Sequence, residues 1–430
     1  MGLWIQMGVP GRRTDTDMVY VVDQPVSGHG GGQIWSSALM KIWGDLGRDI
    51  TDQLFLETHL LWGFSPNLRS AAIAFMQADI NLYNGVHLCD IRARFNQHGL
   101  VSSVPQAIYY NTTWNKDVHV VDSITIQSGA TLTITSTVKF NEQSSITIQP
   151  GAKLVIDGGK LTAACPDQLW QGIVVLGNRF QSQSPQYQGM VELKNGARIE
   201  HALCAISAAP ASYSSFGRSS GGGIIQADSA IFYNNLQAIE YSPYEYQISP
   251  GNIADNVGKF TNCTFTIDDG SRFSANGNIF KNHVTLWAVR GIIFEGCRFD
   301  DMADIPYPPS RLPTYPKRGI YALDAGFKII NHCKRGGSTS GDCPCRPTHT
   351  KPTFFFNLDG GVYSENTGVS RSIYMDQSRF QRLSTGVSMN VQNNYRLTRC
   401  DFINVSTGLY LYFTERNGAR FAGKFRHRSV

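Results

Sequence analysis

Two stretches decide how this sequence is read: "SITIQSGATLTI" from Ser123 to Ile134 and "SITIQPGAKLVI" from Ser145 to Ile156. They share β-branched residues at alternate positions, a turn glycine (Gly129 and Gly151) at the same place, and an offset of 145 − 123 = 22 residues. Alternation with period 2 is the pattern of a strand with one buried face. A single copy is too short to bury its own apolar side chains, so the repeat predicts stacking, each copy covering the next. The fold class expected is mainly β, a right-handed parallel β-helix, in which an inward Ile lies on an inward Ile. Ile126 and Ile148 should therefore be neighbours, and so should Ile134 and Ile156.

Further along, the repeat lengthens but keeps its signature. "ARIEHALCAI" (Ala197–Ile206) aligns with "AIFYNNLQAI" (Ala230–Ile239) at an offset of 33. A small residue two positions before Phe recurs at Cys263/Phe265, Cys297/Phe299, Ser378/Phe380 and Cys400/Phe402. The i, i+2 spacing puts both on one face, and the expected place is inside the stack, with the cysteines as free, buried thiols. From about Asp300 to Thr353 the pattern is broken by "IPYPPSRLPTYP" and "CKRGGSTSGDCPCRPTH", read as loops inserted around one strand, "GIYALDAGF".

Upstream, the period is that of helices. In "GQIWSSALMKIWGDLG" the residues Ile34, Trp35, Ala38, Leu39, Ile42, Trp43 and Leu46 recur at three- and four-residue steps before Gly47. A second helix is expected to be capped by Asp49 or Thr51 and to bury Leu54, Phe55, Leu60 and Leu61. A third should start with Ser65 as cap and Pro66, burying Leu68, Ala72, Phe75, Met76 and Ile80. A fourth spans Leu88–Asn96 and stops at Gly99. The organisation expected is a helical lobe over 1–100, a linker over 101–120, the stacked strands over 121–413 with insertions near 300–353, and a basic tail over 414–430.

Composition narrows the function. The formal charge is +5, and the tail alone carries Arg416, Arg420, Lys424, Arg426 and Arg428 against Glu415, a net of 5 − 1 = +4. The remainder is close to neutral, so no broad basic face is available for nucleic acid. No run approaches the ~20 apolar residues that span a bilayer. The N-terminal "MGLWIQMGVPGRRTDTD" has no apolar segment long enough for a secretory signal. The last strand run, "STGLYLYF", passes into the tail without a capping element. The expectation drawn from these ends is a piece of a longer protein.

Candidate chemistry is sparse. Cys333, Cys343 and Cys345 lie close together with His332 and His349. Their C-x-C spacing favours a loop disulfide over zinc, for which paired C-x₂₋₄-C is usual. Asp268-Asp269 and Asp300-Asp301 read as solvated turns rather than as the paired acids of a glycosidase. Lys281, His283 and Arg290 could line a groove.

"GHGGGQIWSSALMKIWGDLGRDITDQLFLETHLL", "SPNLRSAAIAFMQADINLYNG" and "CDIRARFNQHGL" together resemble the C-terminal helical lobe of fungalysin-type, thermolysin-like metallopeptidases. The resemblance rests on His29, Gly32-Gln33-Ile34-Trp35, Ala72–Asp79, Phe95 and His98-Gly99. It implies that His29 would stabilise the oxyanion formed when zinc-activated water attacks a peptide carbonyl. Catalysis would also need H-E-x-x-H, and none of the ten histidines is followed by Glu. The chain alone is therefore expected to be inactive as a peptidase and to hold no cofactor, with zinc belonging to a full-length parent. "SITIQPGAKLVIDGGKLTAACPDQLWQGIVVLGN", including Trp170–Asn178, resembles the opening coils of β-helices in surface proteins exported by the type IX system. That implies a pectin-lyase-like fold at the cell surface or in secretion, acting as stalk or as adhesive, glycan-binding scaffold. Two rivals are a fragment of an active zinc endopeptidase with peptide substrates, and a polysaccharide lyase or hydrolase.

Overall fold

The structure is a computed structural model, and it describes residues 13–20, 28–63, 67–101, 106–120, 122–208, 220–274, 277–303, 316–333, 350–368, 371–392 and 394–412, together with the backbone of 427–428. Two compact units divide the chain, Met1–Pro105 and Gln106–Val430.

The first unit holds four helices: α1 (Gly28–Leu46), α2 (Arg48–Leu61), α3 (Leu68–Tyr83) and α4 (Leu88–Gln97). Their core is the apolar stripe the spacing indicates, with Ile34, Ala38, Ile42, Leu54, Ala72, Phe75, Met76 and Phe95 buried. Trp35 lies flat on Phe95, centroids 5.4 Å apart, and edge-on to Phe75 at 6.4 Å. Several expectations fail in detail. Leu60 is 80% exposed and Trp43 44%, so neither belongs to the core. The residue before α2 is Gly47, at φ 81, and no side chain caps that helix; Thr51 lies within the first turn and donates its hydroxyl to the Gly47 carbonyl at 2.8 Å. The cap of α3 is Asn67, whose side chain accepts from the Ser70 amide at 2.8 Å. Ser65 and Pro66 lie outside the described residues. No helix among the described residues is long and apolar enough to cross a membrane.

The second unit is almost entirely strand, and every long pairing in it is parallel. The chain runs through three strands and then repeats, so each strand pairs with its counterpart one cycle later. First strands include 124–126, 145–148, 170–175, 202–207, 239–241, 282–287, 318–323 and 360–365. Second strands form a separate ten-stranded sheet that begins at 112–114 and ends at 395–398. Third strands run from 118–120 to the start of the long strand 401–412. The first cycle starts at Gln106, inside the stretch expected to be a linker. Of the basic tail, only the backbone of His427 and Arg428 is described, paired with Phe402 and Ile403.

Register follows the sequence repeat. Ile126 pairs with Ile148 and Ile134 with Ile156; Ile199 pairs with Phe232 and Ile206 with Ile239, at the 33-residue offset. The inward column of the third strands runs Val118, Val138, Leu161, Ile199, Phe232, Phe265, Phe299, Phe355, Phe380, Phe402. Its last six members are phenylalanines stacked face to face, centroids 4.6 to 5.0 Å apart. That separation is the spacing of neighbouring strands, so the sheet itself sets the stack. Fully burying each ring stabilises by roughly 2–3 kcal/mol.

The short bends from second to third strand include a residue in the left-handed region: Gly158, Asn195 (followed by Gly196), Ser229, Asn262, Gly296, Gln377 and Arg399. Such a residue reverses the local direction within one peptide unit, and Gly and Asn tolerate it best. This corner is short in most cycles, but between second strand 326–330 and third strand 353–356 it holds 22 residues, so it too admits an insertion.

Candidate functional site

Because alternate residues of a strand face opposite sides, the outward residues of the first strands also form columns. One reads Ser207, Glu240, Thr285, Tyr321, Tyr363, Ser388, Tyr410. A second, two residues further on, reads Trp287, Leu323, Glu365, Asn390, Tyr412. Tyr321 and Tyr363 stack at 5.5 Å with planes 4° apart. The Arg318 guanidinium covers both rings, 4.7 Å from Tyr363 and 5.8 Å from Tyr321. A guanidinium on aromatic faces braces them by cation–π attraction, and half-burial lowers the Arg318 pKa. Tyr410 and Tyr412 are 53% and 54% exposed, and Trp287 36%. At the far end of the column, burial pushes the Glu240 carboxyl up, and its hydrogen bond is to the Ser207 hydroxyl at 3.3 Å.

A charged cluster occupies the corner where third strands lead into first strands. Asp300 and Asp301 are each only 1% exposed, which corrects the expectation of solvated turn carboxylates: both sit at the buried end of strand Arg298–Asp301. Arg298 pairs with Asp300, and the Lys317 ammonium donates to Asp301 Oδ2 at 2.5 Å. The Lys317 backbone amide donates to Asp359 Oδ2 at 2.7 Å. Desolvation raises the Asp300 and Asp359 carboxyls above the usual range. His283, buried at 1% exposure, donates from Nε2 to the Asp300 carbonyl at 3.0 Å, and desolvation lowers its pKa to about 3. Lys281, His283 and Arg290 share no groove: His283 points inward, whereas Arg290 begins a second strand and pairs with Asp255 at 3.0 Å.

A few cycles earlier, Glu200 accepts from Lys160 and Arg198 at 2.6 and 2.5 Å. Arg198 covers the Tyr233 ring at 4.2 Å, and Tyr233 donates to Asp268 at 2.7 Å. Asp268 also accepts from Asn234 and from the Gly270 amide, the pattern of a turn held by its own carboxylate. His201 lies beside this group with Nδ1 unpartnered, and desolvation followed by Arg272 lowers its pKa to about 4. These groups satisfy one another within the corners of the fold.

His29 falls in the first turn of α1, and its side chain lies outside the described residues. The other histidines of that unit are engaged: His59 Nδ1 with the Phe55 carbonyl at 2.7 Å, His87 Nδ1 with Asp79 at 2.8 Å, and His98 Nδ1 with the Met18 carbonyl at 2.8 Å. Zinc in a peptidase arrangement needs two histidines one turn apart with a glutamate between them. These residues do not supply that set. Cys263, Cys297 and Cys400 are free and buried, as the strand pattern indicates. Cys89, Cys165 and Cys333 are disulfide-bonded, so the Cys333 sulfur is no thiolate ligand, and His332 Nδ1 is bound to Glu295 at 2.7 Å. Cys343, Cys345 and His349 lie outside the described residues.

No family model, no curated protein and no solved structure matches the chain. The tyrosine column escaped sequence reading because Tyr321, Tyr363 and Tyr410 are 42 and 47 residues apart, with no common period. Only the strand register brings them into line.

Proposed function

We propose that the strand-rich unit is a right-handed parallel β-helix of a secreted or cell-surface protein, serving as a stalk and glycan-binding scaffold. The helical unit, on this reading, is a peptidase-derived lobe without a zinc site of its own. The observation that carries the binding role is the outward Tyr321–Tyr363–Tyr410 column, braced by Arg318. Aromatic rings on a rigid sheet stack against the C–H faces of sugars, and a surface built on strands needs little ordering on binding. Three disulfide-bonded cysteines suit an oxidising compartment outside the cell.

Against a lyase or hydrolase stands the burial of Asp300 and Asp301, which a polymer cannot touch at 1% exposure. Against peptidase activity in this chain by itself stands the lack of H-E-x-x-H in its sequence. The test is retention of the purified chain on a set of immobilised polysaccharides, with product release assayed on the same polymers. Retention without release is expected. Passage through every matrix without delay would sink the proposal, and release of sugars would replace it with the enzymatic reading.

A further inference from the structure

The outward columns contain a gap of one residue. Tyr363 and Tyr410 share a column with Ser388 between them. They are therefore two strand spacings apart, about 9.6 Å. A flat ring held between two others needs about 7–8 Å, two van der Waals contacts. Tyr321 covers one face of Tyr363, and the other face is turned to the Ser388 level, where the small side chain leaves space. Asn390 stands beside Ser388 on the same strand, and its amide oxygen has no hydrogen-bond partner among the described residues. One level up, the Tyr363 hydroxyl lies 3.5 Å from Glu365 Oε2.

We infer that Tyr363, Ser388, Asn390 and Tyr410 form a slot for one pyranose ring of a neutral glycan. This rests on the glycan-binding reading and specifies its subsite. The rings of Tyr363 and Tyr410 cover the two sugar faces, while Ser388 forms the floor. Glu365 supplies an acceptor for sugar hydroxyls, and Asn390 borders the slot beside Ser388. With the Glu365 carboxylate at its edge, the slot favours an uncharged, hydroxyl-rich ligand over an anionic one.

The test uses the full chain and calorimetric titration with cellohexaose, mannohexaose and maltohexaose. Ser388→Tyr fills the slot with a side chain that the neighbouring levels already accommodate, and Tyr410→Ala removes one exposed wall. Tyr374→Ala, on an outward position of a second strand, is the control. Both slot variants are expected to weaken binding tenfold or more, with the control unchanged and thermal unfolding of Tyr410→Ala within a few degrees of the parent. Unchanged affinity in both slot variants would overturn the slot and leave glycan binding intact. Absence of binding to all three sugars by the unaltered chain would overturn both. Self-association that Tyr410→Ala abolishes would also overturn the slot, by assigning Tyr410 to a contact between copies.

Discussion

Phe299 and Phe355 stack at 4.8 Å, planes 7° apart, although 355 − 299 = 56 residues of chain separate them. At the end of the same column, Phe380 and Phe402 stack at 5.0 Å across 22 residues. The column is thus indifferent to how much chain leaves and returns between levels. What fixes it is the strand pairing, which holds the rings at the strand spacing. Phe299→Ala removes a ring with partners on both sides and none of its surface exposed. It should cost about 3–5 kcal/mol. Phe402→Ala, at a residue 7% exposed, should cost less, and urea unfolding of the two variants checks the order.

Lys317 neutralises a carboxylate that water cannot reach. Replacing it with Met leaves Asp301 ionised and buried without its partner. The expected loss is about 3–5 kcal/mol. Lys317→Met/Asp301→Asn should recover a large part of it. A double variant as unstable as the single one would show that the pair does not govern this corner.

Stability should fall on acidification. His201 and His283 are held neutral in the fold, with pKa values of about 4 and about 3 against an ordinary 6.5. Between those values and 6.5 the unfolded chain binds protons that the native chain refuses. The stabilising difference is therefore complete above pH 6.5 and is lost progressively as the pH falls towards 4. Asp300 and Asp359, raised by burial, act in the opposite sense as the pH falls through their raised values towards the ordinary 3.8. Thermal melts from pH 7.5 to 4.5 should show a declining midpoint, and His283→Gln should flatten the decline.

The corner residues offer a gain. Gln377 turns the chain at φ 48, in the left-handed region that a β-carbon disfavours. Gln377→Gly should stabilise by roughly 1 kcal/mol. Gly172→Ala should do the reverse, since its Cβ would lie 1.6 Å from the Cys204 carbonyl oxygen at φ +95. A differential melt of both variants decides this.

Cys263 and Cys297 should resist thiol reagents in the native chain. Both are fully buried, and burial raises the Cys263 thiol well above its ordinary value. Mass spectrometry after brief labelling should find them unmodified natively and fully modified in guanidinium. Native labelling would mean that this part of the column opens readily.

The sequence shows the ladder most clearly where the cycles are shortest. At 22 residues the copies beginning at Ser123 and Ser145 are nearly identical, and their pairing follows directly. Phe355 is harder to recognise in sequence because Thr353 replaces the cysteine or serine of the other levels, although Thr353-Phe354-Phe355 has the same spacing. The helices were found but their edges were not: Leu60 continues an apolar run yet faces solvent, since periodicity gives a stripe's direction and not its width. The tyrosine face was illegible for a different reason. Its members are neighbours only across strands, and the variable corners erase any regular interval between them.

The corner between second and third strands carries a consequence for how such a chain changes over time. Even this corner admits length, one to three residues in most cycles and 22 between Ile330 and Thr353, so insertions are absorbed outside the strands while the pairing stays in register. The wall on which the tyrosines stand keeps its spacing whatever is grafted beside it. A chain built this way can diversify what it displays without re-solving how it folds.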